Sequence, residues 1–272
     1  MAHVPSLRRI GLGLAVAFIV LFLVLPILVV IPMGFTGSES LEFPPRGFST
    51  QWYQELIANP QWRQALLNSA LVAFGTLCLS LALGVPLALG LERGRFRGRR
   101  LLSGVVILPL VVPTVITAIG IYYTWTLGWS FGPILVGGHL TGSAVGLILA
   151  HTALAMPMMV VLTSASLRTL DRNLELASAG LGASPWRTFR HVTLPLILPG
   201  IAAGSVFAFL TSWDEAVVAL FLTDARFSTF PVQMFLQVRE AVDPSVASAA
   251  TLVIAVTTAL FTFTLISRSR DA

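Results

Sequence analysis

Two adjacent carboxylates, Asp214 and Glu215, sit inside an otherwise apolar run, "GIAAGSVFAFLTSWDEAVVALFL". A charge at the centre of a membrane helix costs roughly 2.5–3.5 kcal/mol on insertion scales, so such residues usually face a cavity or a partner. On one helix they would point about 100° apart, and Asp214 would lie roughly 20 Å beyond Gly200. With Trp213 they form a candidate lining for a solute pathway. Pro109 and Pro113 in "LPLVVPTV" are a second candidate. Two prolines four residues apart free carbonyls and bend a helix, which lipid tolerates only where protein or water satisfies the freed groups. Both a packing kink and a pathway-lining helix fit that pattern.

Other chemistry is missing. A P-loop needs a lysine for the nucleotide phosphates, and all 17 basic residues here are arginine. There is no HExxH and no GxSxG. The one cysteine, Cys78, lies mid-span. His151 has no Cys, His or carboxylate at metal-ligand spacing and reads as a hydrogen-bonded structural histidine. The sequence therefore describes a conduit without a catalytic or metal site, whose energy source lies on another chain.

The elements that position these residues follow from where charge is absent. With 272 residues, 56% hydrophobic and only 11% charged, the chain is a membrane protein by composition. Formal charge is missing over Ile10–Ser38, Gln64–Leu91, Leu101–Leu167, His191–Trp213 and Pro244–Ser267. About 20 apolar residues cross a bilayer, and the long third stretch holds two crossings split by the Gly/Pro-rich connector Gly128–Gly142. The spans predicted are about 10–34, 65–91, 101–127, 143–167, 197–222 and 245–267, an all-α transmembrane architecture in one domain, 1–272. The first span is too long for a signal-peptide core and reads as a retained anchor. With the N-terminus inside, thirteen arginines fall inside and four (Arg46, Arg63, Arg226, Arg239) outside, as the positive-inside rule requires. The charge of +5 thus reflects topology and gives no reason to expect nucleic acid. Gly75, Gly84, Gly90 and Gly120 read as helix-packing positions. Outside, "STQWYQELIANPQW" spaces Trp52, Tyr53, Leu56 and Ile57 as on a helix and closes with Asn59-Pro60; an interfacial anchor and a docking surface both suit it.

One polar island remains, "ELASAGLGASPWRTFRHVTLPLILPG", residues 175–200. Leu174, Ala177 and Leu181 share a helix face, and Ala177, Ser178, Ala179 and Gly180 keep that helix thin. Gly182 is placed as its left-handed cap. Ser184-Pro185 reads as N-cap and first position of a second short helix, carrying Trp186 and Phe189. Pro195 and Pro199 are expected to stop that helix before the fifth span.

This island resembles the EAA loop of permease subunits of binding-protein-dependent ABC importers: Glu-Ala-Ala, three residues, Gly, nine residues, Ile-x-Leu-Pro. Here Leu176-Ala177-Ser178 precede Gly182, and Val192-Thr193-Leu194-Pro195 follow it after nine residues. Leu176 stands at the glutamate position, with Glu175 one residue before it. "LPLVVPTVITAIGI", "SWDEAVVALFL" and "FPVQMFLQVREAVDPSVASAATLVI" look like the corresponding stretches of spermidine/putrescine-type permeases; the Gly-Glu-Phe-Gly of the sulfate and molybdate branch is missing. The resemblance implies the type I importer fold with both termini cytoplasmic in a bacterial inner membrane. It implies a coupling loop over about 168–196 in which Glu175, Leu176, Ala177, Ser178, Gly182, Ala183, Trp186, Phe189, Leu194 and Pro195 meet an ATPase. It also implies two ATPase subunits carrying ATP and Mg, a second homologous permease chain in a heterodimer rather than a homodimer, an external substrate-binding protein, and a polyamine cargo. Relatives with the same Ser-aromatic-Asp-Glu pattern carry aminoethylphosphonate, thiamine, iron or 4-aminobutyrate. An ATP-independent carrier is the rival from another class; the interrupted helices of matched halves that such carriers show are not evident here.

Overall fold

The computed structural model describes residues 7–131, 134–136, 138–240 and 243–269. Arg270, counted above among the inside cations, lies outside them, as do Gly132, Pro133 and Gly137 of the connector. The chain is helical almost throughout: α1 (Leu7–Met33), α2 (Gln51–Ala58), α3 (Pro60–Arg93), α4 (Arg99–Val111), α5 (Thr114–Leu127), α6 (Ala144–Thr169), α7 (Arg172–Gly180), α8 (Pro185–Thr188), α9 (Leu194–Trp213), α10 (Val217–Leu222), α11 (Phe230–Glu240) and α12 (Pro244–Ser269). Between α5 and α6 the connector holds a small antiparallel ribbon, Trp129–Phe131 with Ile134–Val136. Among the described residues five helical stretches are long and apolar enough to cross a bilayer, and the pair α4–α5 supplies a sixth.

Contacts divide the chain into two units. The first holds residues 1–60 and 236–255. There the turn after α1 is tied to α12 by Ser248 Oγ, which donates to the Gly34 carbonyl at 2.7 Å. Phe35 packs against Tyr53 of α2 with ring centroids 4.8 Å apart. α2 ends at Asn59, whose N–H donates to the Glu55 carbonyl, and Pro60 then begins α3.

The second unit, residues 61–235 and 256–272, holds the candidate site, and α6 is its centre. α9 runs antiparallel along α6, closely enough that a Cβ on Gly200 would stand 2.7 Å from the Leu162 carbonyl oxygen. Buried Met159 of α6 is flanked by Gly204 of α9 on one side and Gly84 of α3 on the other. Gly75 and Gly84 are thus packing glycines, whereas Gly90 and Gly120 face open space. Buried His151 shares a 2.8 Å hydrogen bond between its Nδ1 and Ser212 Oγ, joining α6 to the end of α9.

Three expectations need correction. The third span is more than bent: α4 and α5 meet at 106° across Val112–Pro113. Val112 is extended (φ −73°, ψ 129°), the conformation a following proline imposes. The fifth span is not one helix through 222; it stops at Trp213 and restarts at Val217. Pro195 and Pro199 do not stop the second short helix, because α8 passes through a π-helical turn, Phe189–Thr193, straight into α9. In that turn the Leu194 N–H donates to the Phe189 carbonyl, five residues back. The widened turn takes up the crowding that the Pro195 ring would otherwise impose on the carbonyl four residues before it.

Candidate functional site

The polar island folds as a helical bracket. Asp171 caps α7, its carboxylate accepting from the Asn173 N–H at 2.9 Å. At the other end Gly182 takes φ +84°. The Ala183 N–H donates to the Ser178 carbonyl and the Gly182 N–H to the Ala179 carbonyl, the paired bonds of a Schellman cap. A Cβ on Gly182 would meet nothing within 4 Å, so the glycine is required by its backbone angle and not by space. Ser184 then caps α8 by accepting from the Arg187 N–H, with Pro185 at the first helical turn.

What the bracket turns inward and outward reverses the usual amphipathic order. No residue of α7 is fully buried. Its inward side chains are polar: Ser178 Oγ lies 3.0 Å from Thr188 Oγ1 of α8, and the Glu175 side chain is only 19% exposed. The apolar residues face out, with Leu181 90%, Trp186 68% and Leu176 62% exposed; Ala177 is exposed as well. Trp186 leans on Phe189 at 5.6 Å. Water opposes such a face, so an exposed apolar patch of this kind marks an interaction site.

Glu175 explains its own register. Its Oε1 accepts from Arg93 Nη2 at 3.3 Å and from Thr193 Oγ1 at 2.9 Å, while Arg93 Nε lies 3.2 Å from Oε2. The carboxylate is spent on an internal brace joining the end of α3, α7 and the π turn. Leu176 takes the outward direction instead. The neighbouring Glu92 is braced similarly, accepting from Arg168 Nη2 and Nε at 2.8 and 3.0 Å, with Arg99 Nη2 3.7 Å away. The dipeptide Glu92-Arg93 therefore links α3 to α4, α6 and α7. Leu194 and Pro195 open α9 directly above this junction in sequence.

The acidic pair lies at the break between α9 and α10, not along a helix, so no helical twist sets the two side chains about 100° apart. The Asp214 N–H closes α9 by donating to the Leu210 carbonyl, and its side chain is exposed. Half-buried Glu215 accepts through Oε1 from the Val218 N–H at 2.9 Å, a charge at the start of α10 that its N–H groups favour. Neither carboxylate joins an ion pair among the described residues. Trp213 is 5% exposed and stacks on Phe209 at 5.8 Å; it packs behind the pair. Pro109 lies within α4 and exposed Pro113 at the first break. The half-helices beyond the two breaks meet, with Ala118 of α5 in one buried cluster with Val218, Ala219 and Leu222 of α10. The interruption matching the third span is thus in the fifth.

Residues 80–269 match the family described as "Binding-protein-dependent transport system inner membrane component". The chain belongs to this family. It is therefore a multi-pass inner-membrane permease of the ABC importer class. The permease is 34% identical over 235 residues to the putrescine transport system permease protein PotI of Escherichia coli (strain K12), covering 86% of this chain and 82% of that one. It is 35% identical over 216 residues to the molybdenum transport system permease protein ModB of Mycobacterium tuberculosis, covering 75% and 79%. Its fold is similar to a bacterial alginate ABC transporter crystallised in complex with alginate pentasaccharide-bound periplasmic protein, at TM-score 0.75 and 16% identity, over 95% of this chain and 92% of that chain.

Sequence reading of the permease missed Arg93 and Thr193 as partners of Glu175. Arg93 stands 82 positions away, and no local pattern announces it. A signal for the fifth-span break was available: a carboxylate such as that of Glu215 is favoured just before the first N–H groups of a new helix.

Proposed function

We propose that this permease carries a polyamine across the inner membrane in an importer powered by two ATPase subunits. In this reading ATP and Mg sit on those subunits, a second, non-identical permease chain completes the pathway, and an external binding protein delivers the cargo. Both termini lie in the cytoplasm and the bracket meets an ATPase there. The observation that carries the coupling is the inverted bracket: Glu175 and Ser178 turned in, Leu176, Leu181 and Trp186 turned out. An apolar face so exposed needs a partner, and the polar brace behind it would pass its movement on. Closure of the ATPases would push α7 and α8, and two rigid routes leave them. One is the unbroken helical run from Pro185 to Trp213, which ends at the acidic break. The other is the Glu175–Arg93 brace into α3. Such a lever biases a two-state pathway from a distance.

The cargo reading is supported by likeness to PotI and by two carboxylates that have no cationic partner among the described residues, at an interrupted helix. Interrupted helices commonly build solute sites in transporters. An oxyanion such as the likeness to ModB suggests would be repelled by Asp214 and Glu215. Uptake of labelled putrescine tests this: Asp214→Asn with Glu215→Gln should lower uptake at least tenfold while expression holds, since glutamine keeps the acceptor for the Val218 N–H. Undiminished uptake would make the pair structural. For coupling, Gly182→Val forces a β-branched residue to positive φ, at roughly 1–2 kcal/mol or more, and should abolish cargo-stimulated ATP hydrolysis. Gly182→Asn, which tolerates that angle, should keep it. Equal activity of the two variants would refute the bracket as the coupling element.

A further inference from the structure

Beside the Glu92–Arg168 brace lies a cavity of about 310 Å³ between the ends of α3, α4 and α6. Its mouth is polar and charged, with Glu92, Arg99, Arg168, Ser103 and Ser164; its inner wall is apolar, with Leu91, Val106, Ile107, Val160 and Val161. Arg99 to Ile107 and Val160 to Arg168 each span eight helical steps, so the groove runs about 12 Å from its charged mouth into the span. A second, open cavity of about 640 Å³ adjoins it, sharing Arg99 and Ser103 and adding Phe96, Gly98 and Arg100.

The charges around the mouth do not balance. Glu92 is answered by Arg168 and by Arg99. Arg100 has no ion pair, and Arg95 and Arg97 in the preceding loop have none either, among the described residues. One acid thus faces Arg99, Arg100 and Arg168, an excess of two positive charges on the lining itself. Ser103, common to both cavities, offers a hydroxyl with no hydrogen bond among the described residues.

We propose that these joined cavities bind one anionic phospholipid, its phosphate at Arg99, Arg100 and Ser103 and an acyl chain along the apolar wall. A basic pocket between membrane helices at the interface is the setting in which lipid headgroups are held. A soluble phosphate would use only the mouth; the 12 Å apolar extension is what selects a lipid. The site also touches the Glu92 brace, because Arg99 lines both cavities and lies 3.7 Å from Glu92. This inference needs only the membrane-spanning fold, not the coupling or cargo reading, so its test is made without transport.

The assembled transporter, delipidated in detergent, is titrated with phosphatidylglycerol or phosphatidylcholine, and bound lipid is counted by native mass spectrometry. One phosphatidylglycerol should be retained in clear preference to phosphatidylcholine. At roughly fivefold per interfacial arginine, Arg99→Gln with Arg100→Gln should weaken retention about thirtyfold. Arg95→Gln with Arg97→Gln, which lie off the lining, should change it less than twofold. Arg100→Gln alone, at an exposed unpaired position, should cost about fivefold and serves if the double variant fails to assemble. Equal retention of the two lipids, or equal losses in both double variants, would overturn the site in favour of diffuse attraction. Complete competition by equimolar inorganic phosphate would overturn the acyl groove. Loss of an ATPase subunit from the Arg100 variant with lipid retention intact would make the face a protein contact instead.

Discussion

Leu-Pro-Leu-Val-Val-Pro at 108–113 and Leu-Pro-Leu-Ile-Leu-Pro at 194–199 differ at two positions, yet one breaks the chain by 106° and the other runs through a continuous helix. An interior proline costs a helix about 3 kcal/mol, so something must offset that cost in the second copy. Packing supplies the difference. Ile197 is fully buried, and burying such a side chain contributes about 1.5–3 kcal/mol. Gly200, one residue past the second proline, lies directly against the Leu162 carbonyl of α6. The π turn before Pro195 removes the other clash. In the first copy Val111 is 75% exposed and Pro113 is exposed too. Nothing holds Val112 helical, and its β-branched side chain already favours extended backbone. The lesson is that proline sets a cost and the neighbours decide whether it is met.

Three substitutions bear on that contrast. The largest effect is expected from Gly200→Leu, which drives α9 off α6 and should make the second copy behave like the first. Overpacking of this kind costs about 3 kcal/mol, read as a lower thermal midpoint of the purified complex; an unchanged midpoint would remove packing as the explanation. Next, Pro113→Ala restores a donor for the Pro109 carbonyl. A spin-label distance across residues 105–120 should lengthen as the break straightens, and uptake should fall about tenfold. An unaltered distance would mean that tertiary contacts, not proline, make that break. The smallest effect is expected from Pro199→Ala: the restored backbone hydrogen bond is opposed by the greater freedom of the unfolded chain without proline, so the midpoint should hold or rise and uptake should stay within twofold.

The contrast also explains what could be read from the sequence. Six spans follow from where charge is absent, because the bilayer penalises charge over a fixed thickness. The caps of the bracket were legible for an equally local reason: Gly182 and Ser184-Pro185 act on backbone groups within a few residues. The two proline pairs were not distinguishable, since their fates depend on α6, whose approach no local pattern encodes. The same holds for the Glu175–Arg93 brace. Glu175 looks like a misplaced family glutamate until Arg93 stands beside it. The acidic pair was misplaced as geometry, because the role of Glu215 in starting α10 depends on where α9 stops.

α3 has 34 residues, about 51 Å of helix, against a hydrocarbon thickness near 30 Å. Even at a tilt of about 40°, the upper end of the usual range, it would still measure close to 39 Å along the bilayer normal. The rod must therefore extend past the hydrocarbon layer. Its surplus over one crossing amounts to several turns, so the charged end at Glu92-Arg93 need not lie in hydrocarbon.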